Sequence, residues 1–132
     1  GVAAARNVLL GLLRHNETIY MYGVPAEAPK VLGRFCLDRF QRERIEKGIV
    51  QKIIYNKRAM ERIKELKELE SCYVKYFTEE YDSPISTDIC GNEVFLAIFS
   101  REPCLIIQII SQDIADIYKK YFQVMWEVAK DP

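Results

Sequence analysis

Polar side chains recur at the predicted strand ends of this chain, and two more share a strand face. The candidate ligand-binding residues are Tyr22, Asn56, Arg58, Ser86, Asp88 and Ser100. Ser86 and Asp88 lie on one face of their strand because side chains alternate along a strand. In open α/β sheets, ligands bind beyond the carboxyl ends of the parallel strands. We therefore expect these residues to converge on a polar, hydroxyl-rich ligand such as a sugar or nucleotide. The alternative is that they only cap turns and helix starts.

The sequence lacks the residue sets that nucleophilic or metal chemistry requires. His15 is the only histidine and lies at a polar helix end, where we expect a structural role at the surface. The chain contains neither a phosphate-binding loop nor a GxGxxG motif. Asp113 and Asp116 fall in the first turn of the last predicted helix, where the helix dipole explains them better than a metal does. We therefore predict no catalytic residue, no metal and no cofactor.

The cysteines indicate the compartment. The four are widely spaced in apolar surroundings, and none forms a CxxC pair: Cys36, Cys72, Cys90 and Cys104. We interpret them as buried, reduced thiols of a cytoplasmic protein. No apolar run approaches the roughly 18 residues of a membrane-spanning helix, and no signal-peptide pattern opens the chain.

Charge is unevenly distributed along a chain of 132 residues, a length typical of one domain. Residues 1–67 carry 14 basic and 7 acidic side chains, whereas residues 68–132 carry 5 and 12. One interpretation is that the basic half consists of solvated helix faces. The other is that a basic surface meets an acidic one in a second copy or a neighbouring domain. The neutral total argues against nucleic-acid binding by this chain itself.

Helices and strands are predicted to alternate through the first part of the chain. The predicted strands are 18–22, 49–55, 72–77, 85–90, 93–99 and 104–110. The predicted helices are 2–13, 25–47, 57–69 and 111–129, the last with Ser111 as its N-cap. Alternation favours right-handed crossovers and therefore a mixed, mainly parallel sheet with helices on both faces. Gly91-Asn92 predicts a tight hairpin, which adds an antiparallel pair.

Three predicted elements near the end of the chain are rich in apolar residues. Residues 93–99 and 104–110 are apolar on both faces, so we place them at the centre of the sheet. The last helix has a broad stripe of Met and aromatic residues, which is either core or partly a dimer face. Trp126 lies just off that stripe.

Several segments resemble the effector domain of TrmB-family archaeal transcriptional regulators. The strongest is 118–130, in which Phe122 and Trp126 match the Phe-x-x-x-Trp of that domain's ending. Residues 83–94, the Glu102-Pro103 pair, and residues 19–23 and 42–49 also resemble the family. The resemblance implies a phospholipase D-like fold, and a winged helix that binds DNA in the whole protein. That winged helix is absent from these residues, so we interpret residues 1–132 as a single regulatory domain, a fragment of a longer regulator.

Phospholipase D enzymes require H-x-K-x(4)-D, and the matching positions here are Pro84, Ser86 and Gly91. The resemblance therefore implies a non-enzymatic effector-sensing module that forms a homodimer, contacts DNA only through the missing winged helix, and does not contact a membrane. The alternatives are a phospholipase D-like phosphodiesterase or nuclease that uses other residues, and a purely structural dimerisation domain.

Overall fold

A computed structural model describes residues 1–132 and contains one six-stranded sheet. Its strands are β1 (Ile19–Val24), β2 (Gln51–Asn56), β3 (Cys72–Phe77), β4 (Ser86–Cys90), β5 (Glu93–Ile98) and β6 (Leu105–Ile110). Across the sheet the order is β3-β2-β1-β4-β5-β6. All six predicted strands are therefore present, and they form one continuous sheet with β3 and β6 at its edges.

The sheet is mixed, and the prediction that it is mainly parallel is wrong. Only the β1–β2 and β2–β3 pairs are parallel, whereas β1–β4, β4–β5 and β5–β6 are antiparallel. The reason lies in residues 78–85, which join β3 to β4 with only a short 3-10 turn. Without a crossover helix, the chain passes over the carboxyl ends of β2 and β1 and enters β4 in the opposite direction.

Helices cover both faces of the sheet, as the sequence predicts. They are α1 (Val2–Gly11), α2 (Ala28–Leu32), α3 (Arg34–Glu46), α4 (Met60–Lys67) and α5 (Gln112–Val128). In the larger core cluster, the four helices α1, α2, α3 and α4 pack on one face of the sheet. In the smaller cluster, α5 packs on the other face. The predicted helix 25–47 is divided into α2 and α3 because Gly33 adopts φ 89°, which no helical residue has.

β6 is the outer edge of the sheet, so its predicted central position is wrong. Leu105, Ile107 and Ile110 are all exposed. Although β6 is apolar on both faces, it is not buried between two layers of helices. Its apolar side chains are instead exposed at the surface.

The predicted hairpin turn at Gly91 and the predicted N-cap at Ser111 are confirmed. Gly91 has φ 58° in the turn between β4 and β5, and the Ser111 side chain accepts a hydrogen bond from the Ile114 N–H. All four cysteines are buried and free. His15 has the expected structural role, but its side chain is only 16% exposed: the ring packs against Gly91 and its Nε2 lies 3.1 Å from Glu93 Oε1.

A fully buried guanidinium joins α3 to two chain turns. Arg44 Nη1 donates to the Ile49 carbonyl at 2.7 Å, and Nη2 donates to the Glu70 carbonyl at 2.8 Å. Nε donates to Gln41 Oε1 at 2.8 Å. Ile49 and Gln41 are both buried, so without the guanidinium their oxygens would lose a partner that water does not readily replace.

Arg44→Met should lower the free energy of unfolding by about 2–4 kcal/mol, because buried carbonyls are left unpaired. Urea denaturation measures the loss. The matched control is Arg42→Met, which removes the same side chain from the exposed face of α3 and should change stability by about 0.5 kcal/mol or less. Equal losses in the two variants would contradict the role given to Arg44.

Candidate functional site

A cavity lies between the sheet and the four helices α1 to α4. Its volume is about 40 Å³, and most of its wall is apolar. The polar residues in the wall are Gln41, Gln51, Tyr55, Arg62, Ser86 and Asp88. Two of them, Ser86 and Asp88, are predicted site residues, and strand alternation correctly places them on one face of β4.

Asp88 occupies the middle of this sheet face. It pairs in register with Met21 of β1 on one side and with Phe95 of β5 on the other. The residue is 6% exposed, and its carboxyl has no hydrogen-bond or ion-pair partner in the chain. Burial alone raises the pKa of Asp88 to about 8, because a low-dielectric site disfavours the charged form.

Glu93 is the other buried carboxylate on this face, and unlike Asp88 it has ion-pair and hydrogen-bond partners. It forms an ion pair with Arg14, and its oxygens lie 3.1 Å from His15 Nε2 and 3.1 Å from Gln108 Nε2. Asp88 has none of these contacts, so no ion pair or hydrogen bond offsets the cost of burying it.

The remaining polar wall residues differ in how well they are satisfied. Gln41 Nε2 donates to Gln51 Oε1 at 2.9 Å, so these amides bind each other. Burial raises the pKa of Tyr55 to about 12, although its hydrogen bond with Arg62 opposes the shift. Arg62 Nη1 donates to Glu65 Oε2 at 3.1 Å, but its Nε is buried without an acceptor.

Three other predicted site residues share a separate, more open cleft at the carboxyl ends of the parallel strands. Asn56, Arg58 and Ser100 line this cleft of about 310 Å³, which we call the rim cleft. Asn56 Nδ2 donates weakly to the Ser83 carbonyl at 3.4 Å, and Asn56 Oδ1 is buried without a donor.

Tyr22 lies on the opposite face of the sheet, under α5. Its ring centroid is 6.5 Å from that of Phe122. Burial raises the pKa of its hydroxyl, and a hydrogen bond with Thr87 opposes that shift. The structure thus divides the six predicted residues among the interior cavity, the rim cleft and the α5 face.

Sequence reasoning missed the contributions of α3 and α4 to the cavity. Arg62 follows the buried Ala59 by three residues, which places a cation on the inward side of α4. That spacing was a usable signal. Nothing in the sequence, however, indicates that Tyr55 of β2 would bond to it.

The outer surface of α5 is apolar as well as its inner one. Ala115 and Phe122 are buried against the sheet, and Trp126 stacks on Phe122 at 5.6 Å with Lys75 Nζ 4.7 Å from its ring. Exposed residues at helical spacing form a second stripe, which we call the outer stripe: Ile114, Ile117, Tyr121, Val124 and Val128. Trp126 therefore belongs to the core side of the helix.

The structure is an α/β domain with a mainly apolar interior cavity that contains a few polar groups, and with an apolar outer helix surface. Among solved structures, it is similar to that of TrmBL2, an archaeal chromatin protein whose structure shows a novel mode of DNA binding. The TM-score is 0.69 over 99% of this chain, with 18% sequence identity. The chain spans 49% of that protein, and at this identity the likeness establishes the shared fold alone.

No protein-family model matches the chain, and no curated protein matches it. None of the five helices is both long and apolar enough to cross a bilayer.

Asp88→Asn should flatten the pH dependence of stability. Folded Asp88 holds a proton that the unfolded chain releases, so between about pH 4 and about pH 8 the free energy of unfolding falls as pH rises. The slope from this group is at most about 1.4 kcal/mol per pH unit. Urea denaturation across this range should show that the free energy of unfolding of the variant, relative to that of the natural protein, increases as pH rises.

The control for that experiment is Asp131→Asn, which neutralises an exposed acid near the chain end. Its stability curve should run parallel to that of the natural protein. If the Asp88→Asn curve were also parallel, Asp88 would be ionised throughout and the argument from burial would be wrong.

Proposed function

We propose that this chain is a non-enzymatic effector-sensing and dimerisation domain, phospholipase D-like in fold, from an archaeal transcription regulator. The observation that carries the proposal is the structural likeness to TrmBL2, an archaeal chromatin protein, over 99% of this chain and 49% of that one. A fold is only an analogy for function. The cavity, the rim cleft and the outer stripe supply the independent support.

The effector in this proposal is a small polar molecule, such as a sugar or nucleotide, bound in the rim cleft. Asn56 Oδ1 accepts from a ligand hydroxyl, since no donor in the chain reaches it. Arg58 is exposed beside it and supplies hydrogen-bond donors or a positive charge, and Ser100 supplies a hydroxyl. This is the polar edge at which ligands bind in open α/β sheets.

The absence of catalysis is inferred from the residue types at the site. Pro84, Ser86 and Gly91 stand where a phospholipase D enzyme has its histidine, lysine and aspartate. Ser86 is buried in the cavity wall, and no histidine lies among the residues that line the cavity to act as its base. The only acid there, Asp88, has a pKa of about 8 and therefore binds a proton at neutral pH.

The outer stripe of α5 supports dimerisation. Tyr121 and Val124 are 62% and 63% exposed, and a helix that is apolar on two sides normally buries both. Ile107 of β6 is 48% exposed on the same sheet face as α5, because it pairs with Leu96, which packs against the α5 core cluster. A second copy that covers this surface would remove several large side chains from water.

Ile117→Glu should weaken self-association by about tenfold or more, because it places a charge in the apolar interface. Analytical ultracentrifugation at about 100 μM and below measures the change. The matched control is Gln123→Glu, which adds the same charge on the polar face of α5 and should leave association unchanged. A monomeric natural protein, or equal weakening in both variants, would contradict the dimer proposal.

A sugar or nucleotide that fits the rim cleft should raise the unfolding midpoint of the domain. At one hundred times its Kd, a ligand that binds only the folded state adds about 2.7 kcal/mol. Thermal denaturation against a panel of both classes identifies the ligand, and Arg58→Ala should abolish the shift. Lys57→Ala, which removes the neighbouring exposed cation outside the cleft lining, is the control. No shift with any member of the panel would contradict effector binding at the rim.

A further inference from the structure

The interior cavity contains one acidic and one basic side chain that do not pair with each other. Asp88 has no partner in the chain, and the ion pair of Arg62 is with Glu65. Arg62 is 11% exposed, and its Nε is a buried donor without an acceptor. Buried polar groups are nearly always hydrogen-bonded, so two such groups in one cavity indicate a missing partner for each.

The rest of the wall carries no charge that would compete with these two. The lining residues from α1, α2, α3, β1 and β5 are all uncharged, and Tyr55 of β2 is the only other titratable group. Burial keeps the Tyr55 hydroxyl protonated at neutral pH, since its pKa is about 12. The two amides in the wall, Gln41 and Gln51, bind each other.

The surroundings of the carboxyl favour a cation of organic character. Phe95 is the register neighbour of Asp88, and Phe40 and Phe99 also line the cavity. Aromatic rings attract ammonium groups through their electron-rich faces. A carboxylate among aromatic rings therefore suits an ammonium group better than a hydrated metal ion, which prefers several oxygen ligands.

We propose that this cavity binds a small zwitterion of the amino-acid class, with its ammonium at Asp88 and its carboxylate at Arg62 Nε. One molecule of this kind offers a partner to both groups and is itself neutral overall. The volume of about 40 Å³ is room for only about three water molecules, so the fit is to glycine or alanine rather than to a larger amino acid.

Binding of this ligand is coupled to proton release. Asp88 is protonated below about pH 8 in the free protein, and only its ionised form attracts an ammonium group. The carboxyl proton must therefore leave for solvent as the ion pair forms. At about pH 6, binding should release about one proton per ligand.

This site goes beyond the rim cleft and takes a different class of ligand. The idea that its ligand acts as an effector rests on the proposed function, whereas the binding itself does not. If no sugar or nucleotide binds, the rim-cleft proposal fails but the cavity proposal is unaffected. If neither glycine nor alanine binds, the cavity proposal fails but the rim-cleft proposal is unaffected.

The test is isothermal titration calorimetry of the natural protein with glycine, L-alanine and L-leucine. Methylammonium, which lacks the carboxylate, and acetate, which lacks the ammonium, are the matched probes. We expect glycine or alanine to bind and leucine, methylammonium and acetate to bind at least about tenfold more weakly. The apparent heat at about pH 6 should differ between buffers of different ionisation enthalpy, by the amount that one released proton requires.

Asp88→Asn should weaken glycine or alanine binding by at least about thirtyfold and remove the buffer dependence, because one partner of a buried charge pair is lost. Arg62→Gln should weaken binding without removing the proton release, and the exposed control Lys57→Ala should change neither. The proposal is overturned if neither glycine nor alanine binds, if methylammonium or acetate binds equally well, or if Asp88→Asn binds as the natural protein does.

Discussion

An unpaired carboxyl group at the centre of the sheet constrains the packing of the whole α1–α4 face. Asp88 lies between Met21 and Phe95 in register, where an apolar residue would let the helices close over a continuous core. Taking a carboxylate out of water without a partner is costly, and the group responds by holding its proton. The helices instead surround a cavity whose wall includes Asp88, Ser86 and Arg62. The fold therefore tolerates a local cost at one residue, which is the pattern expected of functional rather than structural positions.

The strand order explains why that residue is central. The β3–β4 connection carries the chain past β2 and β1, so β4 pairs with β1 and becomes an interior strand. A mainly parallel arrangement of the same strands would require a crossover helix before β4, and residues 78–85 contain none. The mixed topology thus places Asp88 under the helices and leaves the rim cleft at the end of the parallel pair.

The sequence predicts those features that depend on local chemistry. Gly91 in the hairpin, Ser111 at the start of α5 and the shared face of Ser86 and Asp88 each follow from one residue type and a short spacing. Pairing order does not follow from such spacing, so the alternation of helices and strands wrongly predicts a mainly parallel sheet. The apolar run of β6 likewise predicts a central strand, whereas Ile107 in β6 is exposed at the sheet edge. An apolar pattern indicates that a strand has hydrophobic faces, but it does not show whether those faces lie in the core or at an exposed surface.

Strand β4 physically connects the interior cavity to the surface proposed for dimerisation. On one face it carries Asp88 of the cavity, and on the other it carries Thr87 and Ile89, which pack against Tyr22 and the α5 cluster. A ligand that ionises Asp88 changes the charge inside a close-packed layer whose far side positions the outer stripe of α5. If that change alters association, then association must alter ligand affinity by the same factor, because coupling free energies are reciprocal. The proposed coupling therefore needs no moving domain, because two packed faces of one sheet would connect the proposed ligand to the proposed dimer.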